Sequence, residues 1–191
     1  MVELSRTKSL FSQANVPPGG TCLSSFVVAS SGHDVLVGKM ACPEIWIERF
    51  LVGPKFAPVY TNSGRYVLPA RHLHWYESPL DAAHSVLRDQ VGLNVPKRKL
   101  HLVEVQSHVS GDVNSKKEPP HWDICFLYRT EVSAKARANL ALPEWFSELA
   151  FRPISALRKD DFTRGHGDVL DMAGMLGERK KAPERRGSPR P

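Results

Sequence analysis

The sequence predicts an α/β domain, and three observations support this. Runs of alternating or continuous apolar residues, typical of strands, occur at 21–30, 35–40, 100–108 and 122–132. A capped segment with apolar residues at helical spacing occurs at 79–91. The chain has 191 residues, 41% of them hydrophobic, which is enough for one enzyme-sized core.

The N-terminal half predicts a hairpin followed by a short strand. The runs at 21–30 and 35–40 are joined by Ser-Gly-His-Asp at 31–34, a composition typical of turns. The segment 46–56 is bounded by Gly53-Pro54 and shows no clear periodicity, so we expect a looser structure there. Residues 65–68 predict a short strand that leads towards the segment at 79–91.

The segment 79–91 carries a strong helix signal. Ser78 is predicted as the N-cap, Pro79 occupies the first helical position, and Asp81 supplies the acid of a capping box. Gly92 is predicted to end the helix, because glycine adopts a left-handed backbone at little cost. One apolar stripe follows the helix and is formed by Leu80, Ala83, Leu87 and Val91.

The C-terminal half predicts two long strands, at 100–108 and 122–132, separated by a polar loop at 110–120. A last strand with a following turn is predicted at 145–157. A terminal helix is predicted at 166–176, with Asp168 at its start.

Cysteine content and hydropathy limit the class of protein. Three cysteines, Cys22, Cys42 and Cys125, are widely spaced, which argues against a disulfide framework and against a zinc site. No apolar run is long enough to span a bilayer, and the N-terminus shows no signal-peptide pattern. We therefore expect a cytoplasmic protein without a membrane partner.

The formal net charge of +6 is concentrated at the C-terminus. Residues 177–191 contain six basic and two acidic residues, which is +4 of the total, and few apolar ones. We predict an N-terminal extension at 1–19, one domain at 20–176 and a basic disordered tail at 177–191. The tail is a candidate contact for nucleic acid or an acidic partner, although a solvated chain end explains the same charges.

The stretch 68–93, LPARHLHWYESPLDAAHSVLRDQVGL, joins a short strand, a loop and the capped helix. Glu77 lies in the loop just before the helix. A second face of the helix carries Val86, Asp89 and Gln90, which are i, i+3 and i+4 neighbours and therefore point at one spot. This layout is typical of a site for phosphate and metal, but it holds few of the expected acids.

The stretch resembles the Nudix box, G-x5-E-x7-R-E-U-x-E-E-x-G-U with U a bulky aliphatic residue, of enzymes that cleave nucleoside diphosphates linked to another group. Arg71 stands at the position of the box glycine and Glu77 at its first glutamate. The R-E-U-x-E-E core falls on Ser85, Val86, Leu87, Arg88, Asp89 and Gln90, and the closing pair on Gly92 and Leu93. The resemblance implies a Nudix-like α/β/α sandwich with a mixed central sheet.

The resemblance also implies which chemistry has been lost. In the family the helix face supplies glutamates to magnesium, and the box arginine pairs with the acid at the position of Glu77. Here Asp89 is the one acid of that face, Gln90 offers a neutral carbonyl, and Ser85 replaces the arginine. Arg71 and Arg88 are both candidates to pair with Glu77 instead. Asp89 and Glu77 are therefore expected to hold magnesium only weakly.

Groups outside the box are candidates for compensating roles. Glu118 and Asp123 lie where the polar loop meets a strand, and Glu104 lies on the preceding strand. Solvated side chains are the alternative for each of these acids. Arg71, Trp46 and Trp122 are candidate ligand contacts, and Trp75 and Tyr76 are further aromatics able to stack on a base, with core or rim packing as the alternative.

Three functions remain open from the sequence. The first is a Nudix-family protein that binds a nucleotide-like small molecule, such as ADP-ribose or a nucleoside polyphosphate, and is weakly active at most. The second is an active magnesium-dependent pyrophosphohydrolase that uses Asp89, Glu77 and the loop or strand acids. The third is an RNA-associated or complex-associated module that uses the basic tail. The sequence determines neither the ligand nor the oligomeric state.

Overall fold

A computed structural model of the chain describes residues 20–50, 52–110 and 121–176. Within these residues seven strands form one sheet: β1 (Thr21–Ser31), β2 (Asp34–Met40), β3 (Tyr66–Val67), β4 (Ala70–His72), β5 (His101–Ser110), β6 (His121–Glu131) and β7 (Phe146–Pro153). The same residues form five α-helices: α1 (Pro43–Glu48), α2 (Ala57–Asn62), α3 (Pro79–Val91), α4 (Ala134–Ala138) and α5 (His166–Met172). None of these helices is long and apolar enough to cross a membrane.

Strand β1 lies at the centre of the sheet. It pairs in parallel with β6, from Thr21 opposite Trp122 to Ser30 opposite Glu131. On its other edge β1 pairs antiparallel with β4 and, at its end, with β2. Strand β5 extends the sheet beyond β6, and β3 and β7 pair with β2, all antiparallel. The sheet is therefore mixed, which confirms the predicted fold class.

The central strand is covered on both faces. Successive residues of a strand point to opposite faces, and 26–29 of β1 are all buried. Val27 packs in a core with Leu87 of α3 and Trp46 of α1. Val28 packs in a second core with Leu170 of α5. Helices thus lie on both sides of the sheet, as expected for an α/β/α sandwich.

The predicted helix at 79–91 is confirmed with its two ends. The Ser78 hydroxyl accepts a hydrogen bond from the Asp81 backbone N–H at 3.1 Å, and Pro79 is the first helical residue. Gly92 follows the helix with a φ of 71°. The Asp81 carboxylate accepts from the Ser78 hydroxyl at 2.7 Å and pairs with Lys97, so it contacts the cap side chain rather than closing the predicted box through the backbone.

Two predictions about local elements were wrong, namely the loose segment at 46–56 and Asp168 as the start of the terminal helix, and one further helix was not predicted. The segment 46–56 is not simply loose, because α1 ends within it and α2 follows it. Each of these helices has six residues and depends on burial of a side chain such as Trp46. Helix α4, which Ser133 caps, was not predicted. Helix α5 begins after Gly165, at a φ of 71°, and Asp168 lies in its first turn.

Other elements agree with the sequence. The hairpin of β1 and β2, the short strand β3, the long strands β5 and β6 and the last strand β7 are confirmed, each within a few residues of its predicted bounds. The predicted loop at 110–120, apart from residue 110, and the predicted segments 1–19 and 177–191 lie outside the described residues.

A buried histidine connects α5 to the strand side of the box. His166 is 2% exposed, and its Nδ1 accepts a hydrogen bond of 2.8 Å from the backbone N–H of Leu68. The His166 ring also meets the Phe26 ring edge-on, with centroids 5.0 Å apart. Burial holds the pKa of His166 well below its ordinary value of 6.5. The ring is therefore neutral, as an accepting Nδ1 requires.

Replacing Leu87 with alanine should lower the free energy of unfolding by about 2–5 kcal/mol, because Leu87 is 0% exposed on the core face of α3. Leu142, which is 58% exposed, is the matched control, and Leu142→Ala should change stability by about 0.5 kcal/mol or less. Urea unfolding measures both values. A loss below about 0.5 kcal/mol for Leu87→Ala would show that α3 does not face a core.

Stability should also fall as the pH drops below 6.5, the ordinary pKa of histidine. The unfolded chain then binds a proton at His166 that the folded protein does not bind, so the contribution of this group is present above pH 6.5 and lost below it. The slope from this one site approaches about 1.4 kcal/mol per pH unit. Urea unfolding of wild type and His166→Gln between neutral and mildly acidic pH measures the slopes, and equal slopes would contradict the assignment.

Candidate functional site

A pocket of about 580 Å³ lies between α3, the loop after β4 and the end of α1. This volume is in the range of pockets that hold a small-molecule ligand. The charged side chains that line it are Arg49, Arg71, Glu77, Arg88 and Asp89, and the uncharged box residues Ser85, Val86 and Gln90 line it as well. The structure therefore gathers the predicted box residues around one cavity.

Glu77 is paired with Arg71. One carboxylate oxygen of Glu77 contacts Arg71 Nη2, and the other accepts a hydrogen bond from the His74 backbone N–H at 3.0 Å. Arg71 Nη1 donates to the His72 carbonyl at 3.1 Å. The side chains of Arg71 and Glu77 are 12% and 14% exposed, so solvent screens this pair less than a surface pair. Of the two arginines that the sequence left open, Arg71 is the partner of Glu77.

Asp89 is paired with its neighbour Arg88. Arg88 Nε lies 2.7 Å from Asp89 Oδ1, and Arg88 Nη2 lies 2.9 Å from Asp89 Oδ2, so the contact is bidentate. The hydrogen bond from Arg88 lowers the pKa of Asp89, and the charges of Arg88, Arg71 and Arg49 act in the same direction. Asp89 is therefore ionised, and a guanidinium already occupies both of its oxygens.

Val86 and Gln90 close the helix face from which the box glutamates would project. Val86 is 0% exposed and belongs to the core. Gln90 is 2% exposed, and its amide Nε2 donates to the Ala70 carbonyl at 3.0 Å. Trp145 Nε1 donates to the Gln90 backbone carbonyl at 2.9 Å. The Gln90 side chain thus links α3 to β4. A carboxylate in place of Val86 or Gln90 would be buried, and burying its charge would lower the stability of the fold.

Arg49 is the third arginine that lines the pocket, and the sequence did not predict this position. Its guanidinium lies over the Trp145 ring, 4.5 Å from the centroid, and 5.5 Å from the Phe50 ring centroid. Aromatic faces therefore hold Arg49. Three arginines line the pocket against two carboxylates, Glu77 and Asp89. The sequence contained no signal for this role, because Arg49 follows a helix that was not predicted.

Trp46 was predicted as a ligand contact, and the structure contradicts this. The Trp46 side chain is 1% exposed in the core, and its Nε1 donates to the Trp145 carbonyl at 2.8 Å. Trp122 is 37% exposed and donates to the Ser107 hydroxyl at 2.6 Å, but it does not line the pocket. Its role as a ligand contact stays a prediction.

The two compensating acids that the structure describes, Asp123 and Glu104, do not line the pocket. Asp123 lies on β6 opposite Cys22 of β1 and does not line the pocket. Burial raises the pKa of the Cys125 thiol to about 11, and the charge of Asp123 adds to this effect. Glu104 accepts a hydrogen bond of 3.1 Å from the Gln106 amide. Glu118 lies outside the described residues.

The described residues do not fit a complete metal site. Magnesium prefers several oxygen ligands in a regular arrangement, and the pocket offers only the carboxylates of Glu77 and Asp89, each already bound by an arginine. In the described part of the chain no group of three or more histidine, cysteine, aspartate or glutamate side chains is placed to hold a metal ion.

Comparison with known proteins identifies the fold. No protein-family model and no curated protein sequence matches the chain. Solved structures of Nudix proteins do match it. The NUDIX domain of NrtR from Shewanella oneidensis, solved with ADP ribose, is 15% identical with a TM-score of 0.51 over 85% of this chain and 94% of that one. The MutT NUDIX hydrolase from Burkholderia pseudomallei is 15% identical with a TM-score of 0.52 over 79% and 96%.

A third match is a bifunctional NMN adenylyltransferase/ADP ribose pyrophosphatase from Francisella tularensis, solved with AMP and a manganese ion. It is 11% identical, with a TM-score of 0.52 over 89% of this chain. The present chain spans about half of that protein, 45% of its length. At these identities the comparisons show the fold, and the chain has the Nudix fold.

The protein should bind manganese weakly, because arginines already hold both pocket carboxylates. Water proton relaxation during a manganese titration measures the affinity. Arg88→Gln should strengthen binding by releasing Asp89, whereas Arg98→Gln, which removes the same charge from an exposed turn, should not. Tight binding that Asp89→Ala leaves unchanged would place the metal ligands elsewhere and contradict this site.

Proposed function

We propose that residues 20–176 form a Nudix-family domain that binds a nucleotide-like ligand in the arginine-lined pocket and hydrolyses it slowly or not at all. One observation carries the proposal: Arg71 and Arg88 neutralise the two box acids of the pocket from within the protein. Within the described part of the chain, both carboxylates of the pocket have an arginine partner, so neither is free to hold a metal ion that would neutralise phosphate charge. Arginine side chains supply the positive charge instead.

The geometry of the pocket favours phosphate as the bound group. Guanidinium groups bind phosphate through charged, often bidentate hydrogen bonds. Arg49 is placed for this role, because aromatic rings support it and no carboxylate among the described residues forms an ion pair with it. With three arginines against two carboxylates, the pocket keeps an excess of positive charge.

ADP-ribose and nucleoside polyphosphates are the ligand classes that we propose. The Shewanella domain was solved with ADP ribose and the Francisella protein with AMP. Both ligands join phosphate to a nucleoside, and a cavity of about 580 Å³ is large enough for such groups. We place the protein in the cytoplasm, where its three free cysteines, Cys22, Cys42 and Cys125, would stay reduced.

A second candidate is an active magnesium-dependent pyrophosphohydrolase. The observation that favours it is that Glu77 and Asp89 line the same pocket. Such an enzyme would need the arginines to release both acids when substrate binds, and a further acid to join them. Glu118 is the sequence candidate for that acid. A turnover assay distinguishes this active enzyme from the proposed binding domain.

Binding should not require a metal. Isothermal titration of the full chain with ADP-ribose and ADP should give the same affinity with and without a chelator. Arg49→Gln should weaken binding roughly tenfold, the value of one lost charged hydrogen bond. Arg98→Gln, the charge-matched control, should leave the affinity unchanged. Binding that disappears with the chelator would contradict the arginine-based site.

The same preparation should show little hydrolysis. Turnover of ADP-ribose, diadenosine polyphosphates and nucleoside triphosphates with excess magnesium should fall far below the usual enzyme range of roughly 1–10³ per second. A rate within that range would contradict the proposed binding function and support the alternative of an active pyrophosphohydrolase. Loss of that rate in Glu118→Gln or Asp123→Asn would then assign the missing acid.

A further inference from the structure

Two aromatic side chains stand in solvent beside the pocket. Trp75 is 91% exposed and Tyr76 is fully exposed. Their chain neighbours His74 and Glu77 both line the pocket, so at most about 4 Å of backbone separates each aromatic residue from a lining residue. Aromatic side chains of this size usually bury 150–250 Å² each. Contact with a ligand would remove this apolar area from water, which is favourable.

The pair occupies the centre of a tight turn. The Glu77 backbone N–H donates to the His74 carbonyl at 3.2 Å, which closes a four-residue turn with Trp75 and Tyr76 in the middle. Tyr76 has a φ of 59°. Turns with a positive φ at the third residue favour glycine or asparagine there, and a bulky side chain is strained in this region. Tyr76 therefore occupies a position where glycine or asparagine would cause less backbone strain.

The turn is tied to the charges of the pocket. The Glu77 carboxylate accepts a hydrogen bond from the His74 backbone N–H at 3.0 Å, across the two ends of the turn. The same carboxylate is paired with Arg71. The backbone of the turn that carries the two aromatic residues is therefore tied to the ion pair that lines the pocket.

We propose that Trp75 and Tyr76 form a stacking surface for the base of a nucleotide whose phosphates lie among the pocket arginines. This inference rests on the proposed function and adds the recognition of the base to it. The two ring centroids are 6.1 Å apart and the ring planes are inclined by 47°, so the rings are too close to sandwich a base and an outer ring face receives it. Stacking on aromatic rings accepts any base, so it selects nucleotides over simple phosphates.

The size of the surface favours a base over a protein partner. Two aromatic side chains offer at most about 500 Å², whereas a stable protein interface buries about 800 Å² on each partner. The flanking residues His72, His74 and Ser78 are exposed and polar. A positively charged pocket next to a small aromatic surface matches the two halves of a nucleotide.

Titration of the full chain with ADP and with inorganic pyrophosphate tests the inference. Wild type should bind ADP more tightly than pyrophosphate. Trp75→Ala should weaken ADP binding by roughly 5- to 150-fold, the value of one base stacked on an aromatic ring, and leave pyrophosphate binding unchanged. Trp75→Phe should restore most of the loss. Leu142→Ala, which removes another exposed apolar side chain, should change neither affinity.

The outcomes separate the inference from the proposed function. Failure to bind either ligand would contradict the proposed function itself. Pyrophosphate binding at full strength, with the same ratio of ADP to pyrophosphate affinity in wild type and Trp75→Ala, would overturn only the stacking surface. The stacking surface would also be overturned if Trp75→Ala changed the sedimentation coefficient but not the ratio of ADP to pyrophosphate affinity. The aromatic pair would then belong to a contact between copies of the chain.

Discussion

The structure depends on the burial of β1 on both of its faces. A strand with seven consecutive buried residues, at 24–30, needs a packed layer on each side, and α3 and α5 supply these layers. The edges of β1 then set the positions of β6 on one side and of β4 and β2 on the other. Because β4 carries Arg71 and α3 carries Asp89, this packing brings the two halves of the site together.

Charge compensation within the protein defines the chemistry of the pocket. In a partly enclosed space an unpaired carboxylate is costly unless a cation lies near it. Here Arg71 stabilises Glu77, and Arg88 stabilises Asp89. Both pocket carboxylates of the described residues therefore have an arginine partner. In this Nudix fold, three arginines and two carboxylates line the pocket, and the excess of positive charge is the basis of the proposed phosphate binding.

The hydrogen bonds of Gln90 connect α3 to the sheet and to the segment before β7. Its side chain joins α3 to the Ala70 carbonyl, and its backbone carbonyl accepts from Trp145. Trp145 in turn lies under Arg49. A neutral amide performs this buried role without the cost of burying a charge. This face of α3 is therefore part of the packing that positions Arg49.

The sequence by itself determined the elements whose signals are local. Ser78, Pro79 and Gly92 mark the ends of α3, and the apolar spacing between them marks its buried side, because caps and periodicity act within a few residues. Only the tertiary structure decided the rest. It chose Arg71 over Arg88 as the partner of Glu77, buried Trp46, and brought Arg49 into the pocket. The pairing of Arg71 with Glu77 depends on how the loop between β4 and α3 folds. The burial of Trp46 and the position of Arg49 depend on contacts with Trp145, far away in the chain, and no local pattern records such contacts.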